Sequence, residues 1–107
     1  MASNPQGTLD VLVMYRAQPG NEDVAEALIQ KHWPTLSRLG FATSTPAQVW
    51  RTLDGQGVTS FIEVFTWASA DALDQASNAP EVTAIWDEMS AKMAGMDILR
   101  AAPVAIG

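Results

Sequence analysis

The stretch "FIEVFTWAS", residues 61–69, decides the fold. Read as a strand, it places Phe61, Glu63, Phe65 and Trp67 on one face and Ile62 and Val64 on the other. Both faces are apolar enough to need cover, and a carboxylate stands in the middle of one of them. Upstream, "AQVWRTLD" (47–54) reads as a partner strand. The glycines of "DGQG" (54–57) allow the positive φ angles of a hairpin turn between the two.

Working outward, "LDVLVMYRA" (9–17) is a first strand with both faces largely apolar, stopped by "QPGN". Between Glu22 and Leu39 the residues Ala25, Leu28, Ile29, Leu36 and Leu39 fall on one stripe at helical spacing, and Gly40 is placed as the C-cap glycine. Pro34 has no N–H to give one turn back, so the helix is expected to bend or restart near Trp33. After the quoted strand, Ser69 reads as the N-cap of a short helix. Asn78 and Glu81 then resemble a capping box, with Pro80 in the first turn. Val82, Ile85, Trp86, Met89 and Met93 form the apolar face of a second main helix ending at Gly95. "MDILRAAPV" (96–104) closes the chain as a fourth strand, terminated by Pro103.

The order β-α-β-β-α-β is the ferredoxin-like arrangement, an α+β fold in which a four-stranded antiparallel sheet carries both helices on one face. It assigns residues 8–103 to one domain, residues 1–7 to a loose arm and residues 104–107 to a tail. No segment is left to cover the second sheet face. A large apolar sheet face usually marks an interface, so a homodimer through that open face is expected.

Composition narrows the function. Six Lys and Arg stand against twelve Asp and Glu, a net charge of −6. Such a chain repels a phosphate backbone and an anionic bilayer, so neither nucleic acid nor membrane is an expected partner. There is no cysteine, and "MASNPQG" lacks the basic and apolar regions of a secretion signal; a cytoplasmic protein is expected. With one histidine and no thiolate, no metal site and no cofactor are expected. "GQG" sits in a hairpin and is not a dinucleotide fingerprint.

The single histidine, His32, lies in the stripe of the first helix. It reads either as a packed imidazole or as a general base, and it is the one candidate catalytic residue. Glu63 has three readings: an outward residue, a structural partner of Arg51 (or of Arg16 or Arg100), or a carboxylate in a pocket. A buried carboxylate without a partner costs several kcal/mol, so an ion pair at the dimer-facing side is preferred, with a pocket role kept open. Tyr15, Trp33, Trp50, Trp67, Trp86 and Met89, together with Glu63, are candidates to line a flat aromatic pocket for a small hydrophobic ligand. Each aromatic is also a plausible core or interface residue in its own right.

The strand "FIEVFTWAS", the following "SADALDQASNAPEV" and the helix "PEVTAIWDEM" resemble the dimeric α/β-barrel proteins, in particular the antibiotic-biosynthesis-monooxygenase-like branch, over residues 8–103. The resemblance implies a dimer whose two sheets form a barrel, with a pocket between sheet and helices in each protomer. It also implies a cofactor-independent monooxygenase acting on a small aromatic or quinol substrate, or a non-catalytic homodimeric module that binds a small hydrophobic ligand. Related chains often carry a histidine near the position of Ser77. Haem-degrading members use a histidine further along that helix and an asparagine on the first strand. Residues 70–95 contain no histidine and the first strand no asparagine, so the resemblance implies no haem degradation and leaves His32 as the base.

Overall fold

The computed structural model describes residues 7–107, so the expected N-terminal arm lies outside the described residues apart from Gly7. The elements are β1 (Leu9–Ala17), α1 (Glu22–Arg38), β2 (Gln48–Leu53), β3 (Thr59–Trp67), α2 (Ala72–Ala76), α3 (Pro80–Lys92) and β4 (Met93–Arg100). The strands form one antiparallel sheet in the order β2-β3-β1-β4. This is the ferredoxin-like fold, with β1 and β3 at the centre and β2 and β4 at the edges.

Helix α1 buries Ala25, Leu28, Ile29, His32 and Leu36, a single stripe that includes the histidine. Pro34 lies within this helix, and the helix runs through it without the expected restart. Pro34 and Gln30, whose carbonyl loses its N–H partner, both lie on the exposed face, where water can take the vacated bond. The stripe therefore keeps its phase across the proline. At the C-terminus Gly40 adopts φ 83°. Its N–H bonds to the Ser37 carbonyl (3.0 Å), and that of Phe41 reaches Leu36 (2.9 Å), the paired bonds of a Schellman cap.

The β2–β3 turn is held by the Asp54 carboxylate, which accepts the N–H groups of Gln56 (2.8 Å) and Val58 (2.9 Å). These two bonds hold its carboxyl below the usual range, and Gly57 supplies the positive φ of 80°.

Two expected helix starts are replaced. The residue before α2 is Asp71 and that before α3 is Ala79, neither with a side-chain cap. Asn78 instead donates to the Asp74 carbonyl at the end of α2. Glu81 is taken by Arg38 of α1, which ties the two long helices together. Strand β4 begins at Met93, directly after α3 and earlier than expected, and Gly95 lies inside it.

The sheet register sorts its faces. Opposite one another on the helix side lie Val49, Glu63, Val13 and Ile98, flanked by the rows of Arg51, Phe61, Tyr15 and Met96 and of Phe65, Val11 and Arg100. Phe61, Glu63, Phe65 and Trp67 are all buried there against the helices. The opposite face carries Leu12, Met14, Trp50, Ile62, Val64 and Leu99, of which Met14, Trp50 and Leu99 are exposed. The expected placement of Glu63 at the outward, dimer-facing side is thus corrected. The aromatic face, which gains most from burial, is the one the helices take, and the carboxylate goes inward with it. No helix among the described residues is long and apolar enough to cross a membrane.

Candidate functional site

Four polar side chains from four elements meet beneath the helices. Glu63 of β3 is completely buried (0% exposed). Tyr15 of β1 donates its hydroxyl to Glu63 Oε1 at 2.6 Å. The two are diagonal neighbours on one sheet face, since Glu63 pairs with Val13 and Tyr15 with Phe61. His32 of α1 places Nδ1 2.9 Å from Oε1 and 3.1 Å from Oε2 of the same carboxylate. On its other side Trp86 of α3 donates its indole N–H to His32 Nε2 at 2.9 Å.

The direction of every proton follows from one fact: indole nitrogen only donates. His32 Nε2 must therefore be the accepting nitrogen, Nδ1 carries the hydrogen, and Glu63 receives it. Glu63 accepts from the imidazole and the phenol together, an arrangement suited to a carboxylate anion. Tyr15 is locked as the donor. Burial first, then the charge of Glu63 and the hydrogen bond to it, push its hydroxyl far above the ordinary tyrosine range. Phe65 meets the imidazole edge-on, with ring centroids 5.6 Å apart, and keeps the ring upright over the sheet.

The preferred partner of Glu63 is accordingly corrected. Arg51 bonds Asp23 (3.0 Å) and Glu26 (3.2 Å) of α1 and lies over the Phe61 ring, clipping the edge strand β2 to the helix. Arg16 stands on the open sheet face beside Ser60 and Gly95. Arg100 lies on the helix side, two strands from Phe65. A buried carboxylate next to neutral donors avoids the desolvation of a guanidinium, which remains at the surface.

Beside this network a cavity of about 680 Å³ opens between the sheet, α3 and β4. Its wall includes Tyr15, His32, Phe65, Trp67, Trp86 and Met89. It exists because β4 reaches past the helices, leaving Met96 and Ile98 exposed on the helix-side face. Of the candidate lining residues, Trp33 and Trp50 are not brought to it. Trp33 packs at the edge of the core with Nε1 buried and unpartnered among the described residues, and Trp50 is half exposed on the opposite sheet face. Glu63 stands behind His32 rather than on the wall. Ser77 is exposed, bonds back to the Leu73 carbonyl and is not itself a wall residue. Sequence reading missed Leu73, Ser90 and Arg100 as wall residues. The β1–β3 register was the one signal that could have joined Tyr15 to Glu63 in advance.

No protein-family model matches the chain, and no curated protein matches it in sequence. Solved structures do match in fold. A Caulobacter crescentus protein assigned as an antibiotic biosynthesis monooxygenase superposes with a TM-score of 0.69 at 22% identity, over 94% of this chain and 92% of that one. SnoaB, a cofactor-independent oxygenase from Streptomyces nogalater, gives 0.66 at 13% identity over 88% and 92%. A dimeric Bacteroides fragilis protein of ferredoxin-like fold and unknown function gives 0.68 at 9% identity over 91% and 97%. The chain therefore has the ferredoxin-like fold that antibiotic biosynthesis monooxygenases use. Within that fold the candidate site is a cavity whose lining includes a carboxylate-held imidazole.

Proposed function

We propose that the protein is a cofactor-independent monooxygenase-like enzyme in which His32 acts as general base on a small aromatic or quinol substrate. The observation that carries this reading is the position of His32. Its Nδ1–H is held by buried Glu63, its Nε2 accepts from Trp86, and the residue lines the mainly apolar cavity of about 680 Å³. A carboxylate behind an imidazole fixes the tautomer and stabilises the imidazolium formed on proton uptake. Removing a proton from an acidic O–H or benzylic C–H leaves an electron-rich anion. That anion reduces dioxygen itself, the two combine to a hydroperoxide, and loss of water leaves a carbonyl. The balance is CH₂ + O₂ → C=O + H₂O, so the substrate supplies all the electrons. Trp67, Trp86, Tyr15 and Met89 would hold the ring.

One observation favours a second reading, a ligand-binding module without turnover: the lone pair of Nε2 is already taken by Trp86. Oxygen uptake with anthrone and naphthohydroquinone, set beside His32→Gln, separates the two. Turnover abolished by the substitution supports the enzyme. Binding of these compounds without oxygen consumption overturns it in favour of the module.

The proposed assembly is a homodimer through the open sheet face of Leu12, Met14, Trp50, Ile62, Val64 and Leu99. It is supported by that contiguous apolar face and by the dimeric state of the Bacteroides fragilis neighbour.

A further inference from the structure

Among the described residues, Arg100 is the one arginine or lysine lining the cavity, and no carboxylate lines it. The other three arginines differ from it: Arg51 is bonded to Asp23 and Glu26, and Arg38 to Glu81, while Arg16 lies on the far sheet face. Arg100 stands opposite Val11, which stands opposite Phe65, whose ring meets His32. Two strand spacings separate Phe65 from Arg100, roughly 10 Å. The cavity lining thus includes an imidazole, the apolar side chains of Phe65 and Val11, and an arginine.

We infer that the cavity takes a planar phenol or enol that also bears a carboxylate, its hydroxyl directed to His32 Nε2 and its carboxylate to Arg100. This rests on His32 being the base and adds the substrate class. A guanidinium fork matches a carboxylate with two parallel hydrogen bonds. A scaffold of two fused rings, or one ring with a short acidic arm, matches the two-strand separation of Phe65 and Arg100. In a chain of net charge −6, an anionic ligand is repelled at long range, so selection for one needs a local cation such as this.

Calorimetric titration tests the assignment with 6-hydroxy-2-naphthoate and 2-naphthol on the full chain, Arg100→Gln and His32→Gln. Arg38→Gln makes the same change of charge outside the cavity. The hydroxynaphthoate is expected to bind the unsubstituted chain more tightly than naphthol, and Arg100→Gln is expected to weaken it about tenfold while leaving naphthol unchanged, a magnitude modest because the pair is solvent-screened. Arg38→Gln should leave the ratio of the two affinities as it was. Equal loss in both arginine variants, or no preference for the carboxylate, overturns the assignment of Arg100. If naphthol binding still depends on His32 in that case, the base reading stands without it. If His32→Gln alters neither ligand, the base reading itself has failed.

Discussion

The indole of Trp86 and the carboxylate of Glu63 hold one imidazole from opposite ends. Trp86 donates to His32 Nε2 at 2.9 Å, and Glu63 lies 2.9 Å from His32 Nδ1. The indole, a donor only, fixes the proton on Nδ1, and the carboxylate receives it. Together they leave a single neutral tautomer in a residue that lines the cavity. Protonation of Nε2 would set two N–H groups against each other, so proton uptake requires the indole to yield.

Glu63→Gln tests the back of this arrangement. The tyrosine hydroxyl and the imidazole Nδ1–H both reach Oε1, at 2.6 and 2.9 Å, so a glutamine oxygen there can accept from both, but its NH₂ then stands in the place of Oε2, 3.1 Å from Nδ1, and the negative charge behind the imidazole is lost. The tautomer, set by the Trp86 indole, is expected to persist, while proton abstraction from a bound phenol or anthrone is expected to fall by about 10²–10⁴ because the imidazolium formed loses its anionic partner. Ligand affinity should change far less. ¹⁵N chemical shifts of the single histidine report the tautomer, and stopped-flow absorbance reports the abstraction step. An unchanged rate in the variant would remove Glu63 from the mechanism.

Trp86→Phe tests the front. His32 is only 4% exposed and its Nε2 is engaged, so carbethoxylation of the histidine should be slow in the unsubstituted chain. Losing the indole N–H is expected to accelerate it at least several-fold, followed as absorbance near 240 nm by the usual chemistry of the adduct. Because His32 is the only histidine, the signal belongs to one site. Rates that match between the two chains would mean the indole does not guard the nitrogen.

Tyr15→Phe carries a pH signature. The hydroxyl is raised far above its ordinary value of 10.0 by burial and by Glu63. The folded chain therefore keeps this proton where the unfolded chain loses it. Stability from this group is fully present below about pH 10 and declines as pH rises above it, by up to about 1.4 kcal/mol per pH unit. The phenylalanine variant should be less stable at neutral pH by about 1–3 kcal/mol, since Glu63 loses a donor. It should also lack this alkaline decline. Urea midpoints at pH 7 and pH 10.5 for both chains give the comparison, and parallel declines would contradict it.

Trp50→Glu probes the open sheet face. Trp50 is 49% exposed and sits opposite Ile62, which sits opposite Met14. A charge placed there is expected to convert a dimer to a monomer in sedimentation while leaving the far-UV circular dichroism intact. A monomeric unsubstituted chain would remove the reason for a second copy on that face.

Much of this protein was legible from its sequence because local physics decides it. Strand alternation in residues 61–67, the stripe of α1, the Asp54–Gly57 turn and the glycine cap at Gly40 each depend on residues close in the chain, and β1 begins and ends where its pattern does. The helix starts were less legible. Asn78 and Glu81 each had a competing partner, in Asp74 and Arg38, that only the packed helices brought near.

What the sequence by itself determined is the order of elements, the faces of each strand and the phase that aims His32 at the sheet. What only the tertiary structure decided is which sheet face the helices cover, and with it the role of Glu63. Alternation says which residues travel together but carries no sign for in or out. The aromatic face of β3 packs under α1 and α3, and Glu63 is carried inward with it. There it meets an imidazole and a phenol distant in sequence, while Arg51, its expected partner, remains at the edge with Asp23 and Glu26. A burial that would be costly for an ion pair is satisfied by neutral donors, and the imidazole so held is the residue that faces the cavity.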